Sequence, residues 1–494
     1  MYRLLLFPCL VSLSFASVEV APLFGDHAVL QRDRRVPIWG RAAAGEDVSV
    51  TFGTQHVSAK ADAQGRWRLE LAPMTAQNTG ADLTVAGSNR VVLHDVVVGE
   101  VWLCTGQSNM GFALSRALNA QKEIAASANP RLREIVIRNG PAESPLDATK
   151  TSGWQVAAPE TTPTFTAVGY FFGQELVQTL DVPVGLIHST VGGTPVEAWM
   201  NAAAFASDPG FAAIAERSHA EDRAMAAARL KAWNQAKAKA TAAGADVLAR
   251  FTQETPGPAS YPSKMPMVLF NGKIAPIKPY AFRGAIWYQG EANAARPHEY
   301  HNLFAAMITA WRSYFGEGDF PFYWVQLPNF AAGEATGTTW ATMREAQAQT
   351  LSLPNTGQAI AIDVGEANNL HPLNKRPVGH RLAILAEAQV YQLPVEFSGP
   401  VFKSMSHDAQ GLVVTFDHAE GLKARGGQLP AVQIAGADKV FHPAESRIAD
   451  GRLVASSSAV PEPVAIRYAW TNAPEATLFN GEDLPAAPFR SDRW

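Results

Sequence analysis

VVVGEVWLCTGQSNM, residues 96–110, is a nearly continuous apolar run that passes through Gly106 into Gln107, Ser108 and Asn109. Four further apolar runs follow, separated by longer helical patterns: PVGLIHS (183–189), RGAIWYQG (283–290), FYWVQLP (322–328) and QAIAIDVG (358–365). Such alternation predicts a mostly parallel sheet covered by helices on both faces. Sheets of this kind place ligands at the carboxyl ends of their strands. The polar motifs of this chain follow its strands directly, so they fall where a site belongs.

Outward from that core the pattern changes. Residues 17–98 carry short period-two runs, among them VPIWG, DVSVTFG, RWRLEL and RVVLHDVVVG, with Gly, Asp and Asn between them. They predict a small antiparallel β domain. The α/β region then extends over 99–394, interrupted at about 201–258 by an Ala-rich stretch without internal Pro that reads as a helical insertion, either a structural hairpin or a lid. Alternation returns in GLVVTFDH, AVQIAG, RLVASS and VAIRYAW, which predicts a C-terminal β domain over 395–494.

The first residues, MYRLLLFPCLVSLSFA, combine an early Arg, an apolar run too short to span a bilayer, and Ser14-Phe15-Ala16 as a small-x-small cleavage site. Residues 1–16 are read as a secretory signal peptide, with a first buried element as the alternative, and the protein is expected to be secreted or periplasmic. Removal of Cys9 with the leader leaves Cys104 alone, so no intramolecular disulfide is expected. No later run is apolar enough to cross a membrane. With 41 Lys and Arg against 45 Asp and Glu, and no basic run, nucleic acid is not an expected partner. The composition, 47% hydrophobic and 17% charged, excludes a disordered chain.

Four segments carry chemistry. Ser108, after a strand and a glycine and ahead of a predicted helix, reads either as a nucleophile near a helix dipole or as an N-cap. In GLIHSTVGGTPVEAW (185–199), Gly192 and Gly193 let backbone N–H groups approach a ligand, as an oxyanion site requires; a tight turn is the plain alternative. GAIWYQGEANA (284–294) delivers Gln289, Glu291 and Asn293 beside large rings, where an amide suits an oxyanion and the carboxylate suits an imidazole. In AIDVGEANNLHPLNKRPVGHRLAILAEA (361–388), His371 lies in a strand-to-helix loop, as a general base would. A metal site fails on spacing, because no second His or Cys stands three or four residues from His371. Trp102, Trp199, Trp287 and Trp340 lie near these motifs, either as sugar platforms or as core.

Together GQSNM, VGGTPVEAW, WYQGEAN and DVGEANNLHPLNK resemble the sialate O-acetylesterase family of SGNH (GDSL-like) hydrolases, with similar motifs in acetylxylan and xyloglucan esterases. LFGDHAVLQRDRRVPIWG (23–40) and VAIRYAWTNAPEATLFNGEDLPAAPFRSD (464–492) resemble that family's opening and closing segments. The resemblance implies a flavodoxin-like three-layer α/β hydrolase with flanking antiparallel β domains, acting on acetylated carbohydrate through an acetyl-serine, with neither cofactor nor metal. It implies Ser108 as nucleophile and His371 as base. The backbone N–H groups of Ser108 and of Gly192 or Gly193, with a side chain from Gln289 to Asn293, would form the oxyanion hole. Where relatives carry a carboxylate two residues before the histidine, this chain has Asn369, and an amide cannot stabilise an imidazolium as a carboxylate does. By analogy with acetylxylan esterases Glu291 is the expected acid, with Glu366 and Asp363 as alternatives. A different acyl group, or a carbohydrate-binding protein on an esterase scaffold, are the competing readings; the sugar and the oligomeric state stay open.

Overall fold

The computed structural model describes residues 17–243, 262–408 and 411–494. The expected leader, residues 1–16, lies outside the described residues.

Five parallel strands form the centre: β1 (Arg90–Gly106), β2 (Val184–Thr190), β3 (Gly284–Tyr288), β4 (Phe322–Val325) and β5 (Thr356–Ala359). They lie in the order β2-β1-β3-β4-β5, the flavodoxin-like arrangement. The strand Asn129–Val136, parallel to β2, and the antiparallel Gln155–Ala157 extend the β2 edge. Burial on both faces explains the unbroken apolar runs: Val101 to Cys104 and Ala285 to Tyr288 are wholly buried. The last run is displaced, since β5 ends at Ala359 and Asp363 already belongs to a turn.

Helices α1 (Ala167–Leu180), α2 (Gly210–Ala243), α3 (Pro297–Phe315), α4 (Thr339–Gln349) and α5 (Arg376–Gln389) follow in order. α1 packs on α5 and α3 on α4, forming the two helical layers. The order of strands reverses at β1, whose neighbours β2 and β3 carry the chain to opposite sides of the sheet. A crevice opens at the carboxyl end of such a switch point, which is where Ser108 follows β1 and Gln289 follows β3.

β1 also corrects the expected boundary at 98/99. Its first part pairs with Gln77–Ala86 and Val29–Gln31, and its second with β2 and β3, so one strand belongs to both regions. Its burial changes from alternating to complete at Val96, which is where the sequence changes from period two to a continuous run. Leu83 and Val85 accordingly share one hydrophobic core with Trp102 and Trp287. The insertion begins with a short helix, Ala202–Ala206, followed by α2 as a single 34-residue helix; residues 244–258 of the insertion lie outside the described residues. Two four-stranded antiparallel sheets near the C-terminus enclose a separate core that includes Val414, Ile434, Leu453 and Ile466. No helix among the described residues is long and apolar enough to cross a membrane.

Candidate active site

Gly106 closes β1 with φ +128°, and a Cβ there would lie 2.4 Å from the Tyr288 carbonyl oxygen, so only glycine lets β1 and β3 end together. The Gln107 N–H donates to that carbonyl at 2.9 Å, and the Met110 and Gly111 N–H groups both donate to the Gln107 carbonyl at 3.0 Å. Ser108 therefore stands on a single tight turn. This corrects the expected helix: the next helical pieces are Leu114–Arg116 and Ala120–Ala125, too far on for Ser108 to be their N-cap or to feel their dipoles.

His371 reaches this turn from the other side, with Nε2 2.8 Å from the Ser108 Oγ. Its loop is fixed by a short polar chain. The Asn369 Oδ1 accepts the His371 N–H at 3.0 Å, the Asn369 Nδ2 donates to Glu366 at 3.1 Å, and Glu366 also accepts the Leu373 N–H at 2.8 Å. Partial burial, with Lys375 and Arg116 nearby, holds the His371 pKa below the ordinary histidine value, which keeps the imidazole neutral and able to take a proton.

None of the three expected acids meets the imidazole ring, nor does any other carboxylate of the described residues. Glu291 instead accepts from the Asn109 Nδ2 at 2.6 Å. Glu366 is occupied in bracing the loop backbone. Asp363 is turned away into a bidentate pair with Arg381 at 2.6 and 2.8 Å.

The oxyanion expectations divide. Gly192 lies against Ser108, a Cβ there falling 3.4 Å from the serine Cβ, and Gly193 has φ +68° with open space around it. Both glycines are exposed, and Gly192 borders the serine turn. Gln289 and Asn293 are committed elsewhere: the Gln289 Nε2 donates to the Thr194 carbonyl at 3.1 Å and to the Asn293 Oδ1 at 2.8 Å. The Asn293 Oδ1 also accepts the Val196 N–H at 2.9 Å, and its Nδ2 donates to Glu197 at 2.8 Å. These two amides clamp the glycine loop from behind, a correction that follows from their burial: a buried amide must spend its donors on whatever surrounds it.

Two residues went unread in the sequence. Asn109 is wholly buried, and its Nδ2 donates both to Glu291 and, at 3.0 Å, to the carbonyl of Leu370, which joins the serine turn to the histidine loop. Lys375 is 1% exposed and donates to the Asn109 Oδ1 at 2.5 Å. The available signals were an amide beside the serine and a lysine four residues after the histidine, neither of which specifies a partner. Trp102, Trp199, Trp287 and Trp340 are all core, at most 4% exposed, and offer no sugar platform.

The arrangement has the core of an acyl-transfer site: a hydroxyl against a neutral imidazole, with the glycine loop bordering the serine turn. A family model described as carbohydrate esterase, sialic acid-specific acetylesterase, matches residues 98–246 and 240–386. The chain is 27% identical to a sialate O-acetylesterase of Rattus norvegicus, covering 95% of this chain and 93% of the relative, and 26% identical to one of Homo sapiens, covering 95% and 91%. A solved carbohydrate acetylesterase from Xanthomonas citri superposes with a TM-score of 0.83 at 36% identity, covering 97% of this chain and 100% of that one.

Proposed function

As the chain belongs to the sialic acid-specific acetylesterase family of carbohydrate esterases, we propose that it hydrolyses acetyl esters on sugar hydroxyls through an acetyl-serine at Ser108. The His371 Nε2 takes the Ser108 proton while Oγ attacks the acetyl carbonyl. The tetrahedral oxyanion is met by the backbone N–H groups of Ser108 and of Gly192 or Gly193. His371 then returns the proton to the sugar oxygen as the C–O bond breaks and the sugar leaves. Water attacks the acetyl-serine, again giving its proton to His371, and acetate departs with the Ser108 hydroxyl restored.

The observation that carries this reading is the 2.8 Å contact between the two side chains at the switch point of the sheet. The neutral state of His371 supports it. Ser108→Ala is expected to lower acetate release from acetylated sugars by at least about a thousandfold with an unchanged circular dichroism spectrum. Equal acetate release by both proteins would sink the nucleophile assignment, and a wild-type protein that binds the sugars but releases none would be a binding protein on an esterase scaffold. Acetylated sialic acid, xylan and xyloglucan fragments, assayed side by side, identify the sugar. Export belongs to the same proposal, and the mature N-terminus of protein recovered outside the cytoplasm tests residues 1–16 as the leader.

A further inference from the structure

Lys375 has no place in the proton transfers just described, yet it is a buried ammonium beside them. It stands at the entry to α5, four residues beyond His371, and its Nζ meets the Asn109 Oδ1 at 2.5 Å. Its other neighbours are the ring faces of Phe112 at 4.9 Å and Tyr288 at 5.3 Å. The Asn109 Nδ2 gives its hydrogens to the Leu370 carbonyl and to Glu291, so every strong bond open to this side chain joins one loop of the site to another. Glu291 has one oxygen on Asn109 and the other, Oε2, buried without a partner.

A buried cation is costly unless something in the fold uses it. The charged groups that face Lys375 are Glu291 and Glu366, which favour its protonated form, and Arg116, which opposes it; burial outweighs them and lowers its pKa to about 7. Lys375 in turn is one of two cations that hold the His371 pKa down.

We propose that Lys375 is a positioning residue of the hydrolase: by fixing Asn109 between the Leu370 carbonyl and Glu291, it locks the serine turn to the histidine loop and sets the contact between Ser108 and His371. The inference rests on Ser108 and His371 being the reacting pair. Lys375 touches neither, and acts through Asn109 and through its charge.

The test compares Lys375→Met, Lys375→Met with Glu291→Gln, Lys375→Arg and Glu291→Gln alone, each assayed for kcat and KM against pH on an aryl acetate. Lys375→Met leaves the Glu291 carboxylate uncompensated and is the variant most exposed to misfolding, whereas the double variant keeps the cluster neutral. In whichever of these two folds, kcat is expected to fall about ten- to a hundredfold with KM nearly unchanged, because the reacting atoms lose their register. The acid limb of kcat/KM is expected to move to higher pH, since a cation that lowers the His371 pKa has gone, and Lys375→Arg should restore that limb toward its wild-type position. A merely space-filling lysine would leave the limb in place. Glu291→Gln alone keeps an acceptor for Asn109 and the Lys375 bond to it, and is expected to lower kcat by less than the loss of Lys375 does. A folded Lys375→Met, single or double, with wild-type kcat and acid limb overturns the assignment, and so does a hundredfold loss in Glu291→Gln alone, which would put the work on the carboxylate. Wild-type protein without esterase activity would overturn the hydrolase reading instead.

Discussion

At the scale of single residues, the unusual feature is an imidazole without a carboxylate. Asn369 stands where an acid was expected, and its side chain braces the loop backbone rather than the ring, held by Glu366. Burial, Lys375 and Arg116 lower the His371 pKa and nothing anionic raises it. The sign follows: the base is neutral down to a pH below the usual histidine range near 6.5, so kcat/KM is expected to hold into mildly acidic solution. Asn369→Asp alone would set a carboxylate against Glu366, so the informative variant is Asn369→Asp with Glu366→Gln, which exchanges the two groups and keeps the hydrogen bonds. It is expected to fold and to move the acid limb of kcat/KM to higher pH; a limb at the wild-type position would mean that charge at residue 369 does not reach the ring. The serine and the histidine were legible because one follows β1 directly and the other lies in the loop from β5 to α5, and the topology brings both to one crevice. Which acid attends them was not, since that depends on how Glu366, Asp363 and Glu291 turn within loops, and short-range spacing does not determine it.

At the scale of elements, the turns after β1, β2 and β3 act together. Asn293, in the turn after β3, binds the Val196 N–H, Gln289 and Glu197, and Glu197 continues to Arg296 at 2.7 Å and Arg296 to Glu299 on α3 at 3.0 Å. Glu299 meets Arg217 of α2 in two bonds of 2.8 Å, so the insertion helix is tied to the glycine loop through an unbroken polar chain. Asn293→Ala separates the two assignments that this residue has carried. As a clamp, it leaves buried partners unsatisfied at about 1–3 kcal/mol each, and urea unfolding should show that loss. As an oxyanion donor, it would lower kcat by roughly a hundredfold to a thousandfold at unchanged stability. The structure favours the first outcome, and the second would restore the donor. The strands were legible as apolar runs, but the polar residues that end them were not resolvable into donors and clamps, because the sequence shows a side chain's chemistry and not its neighbour.

At the scale of the whole molecule, three expected domains become two cores. The N-terminal strands and the hydrolase layers share one core across β1, while the C-terminal sheets keep their own and dock on α4 through the Trp340 N–H to the Asn472 Oδ1 at 2.7 Å and the Arg490 pair with Glu345 at 2.9 and 3.0 Å. The join within the larger unit is also ionic. Glu100 of β1 is fully buried and meets Arg32 at 2.5 Å, Gln31 at 3.0 Å and Arg283 at 2.8 and 3.0 Å, the first two from the N-terminal segment and the last from the entry to β3. Burial pushes its pKa up, but Arg283, Arg32 and Gln31 more than offset it and hold it below the usual carboxylate range. The stabilisation that Glu100 supplies is therefore present above the unfolded-state value of 4.5 and is lost as pH falls through the lower folded value. Calorimetry at neutral pH is expected to show no more than two transitions. Glu100→Gln should lower the one that belongs to the larger unit by roughly 5 °C, as loss of one partner from a buried ion pair costs about 3–5 kcal/mol spread over a unit of this size. The gap between variant and wild type should narrow as the pH is lowered, since protonation removes the same charge. A chain shortened to begin at residue 99 would strip Arg32 and Gln31 from the buried Glu100 and leave the Val101 N–H without the Gln31 Oε1, and it should yield no folded esterase. Three transitions, or an active shortened chain, would return the N-terminal strands to an independent domain.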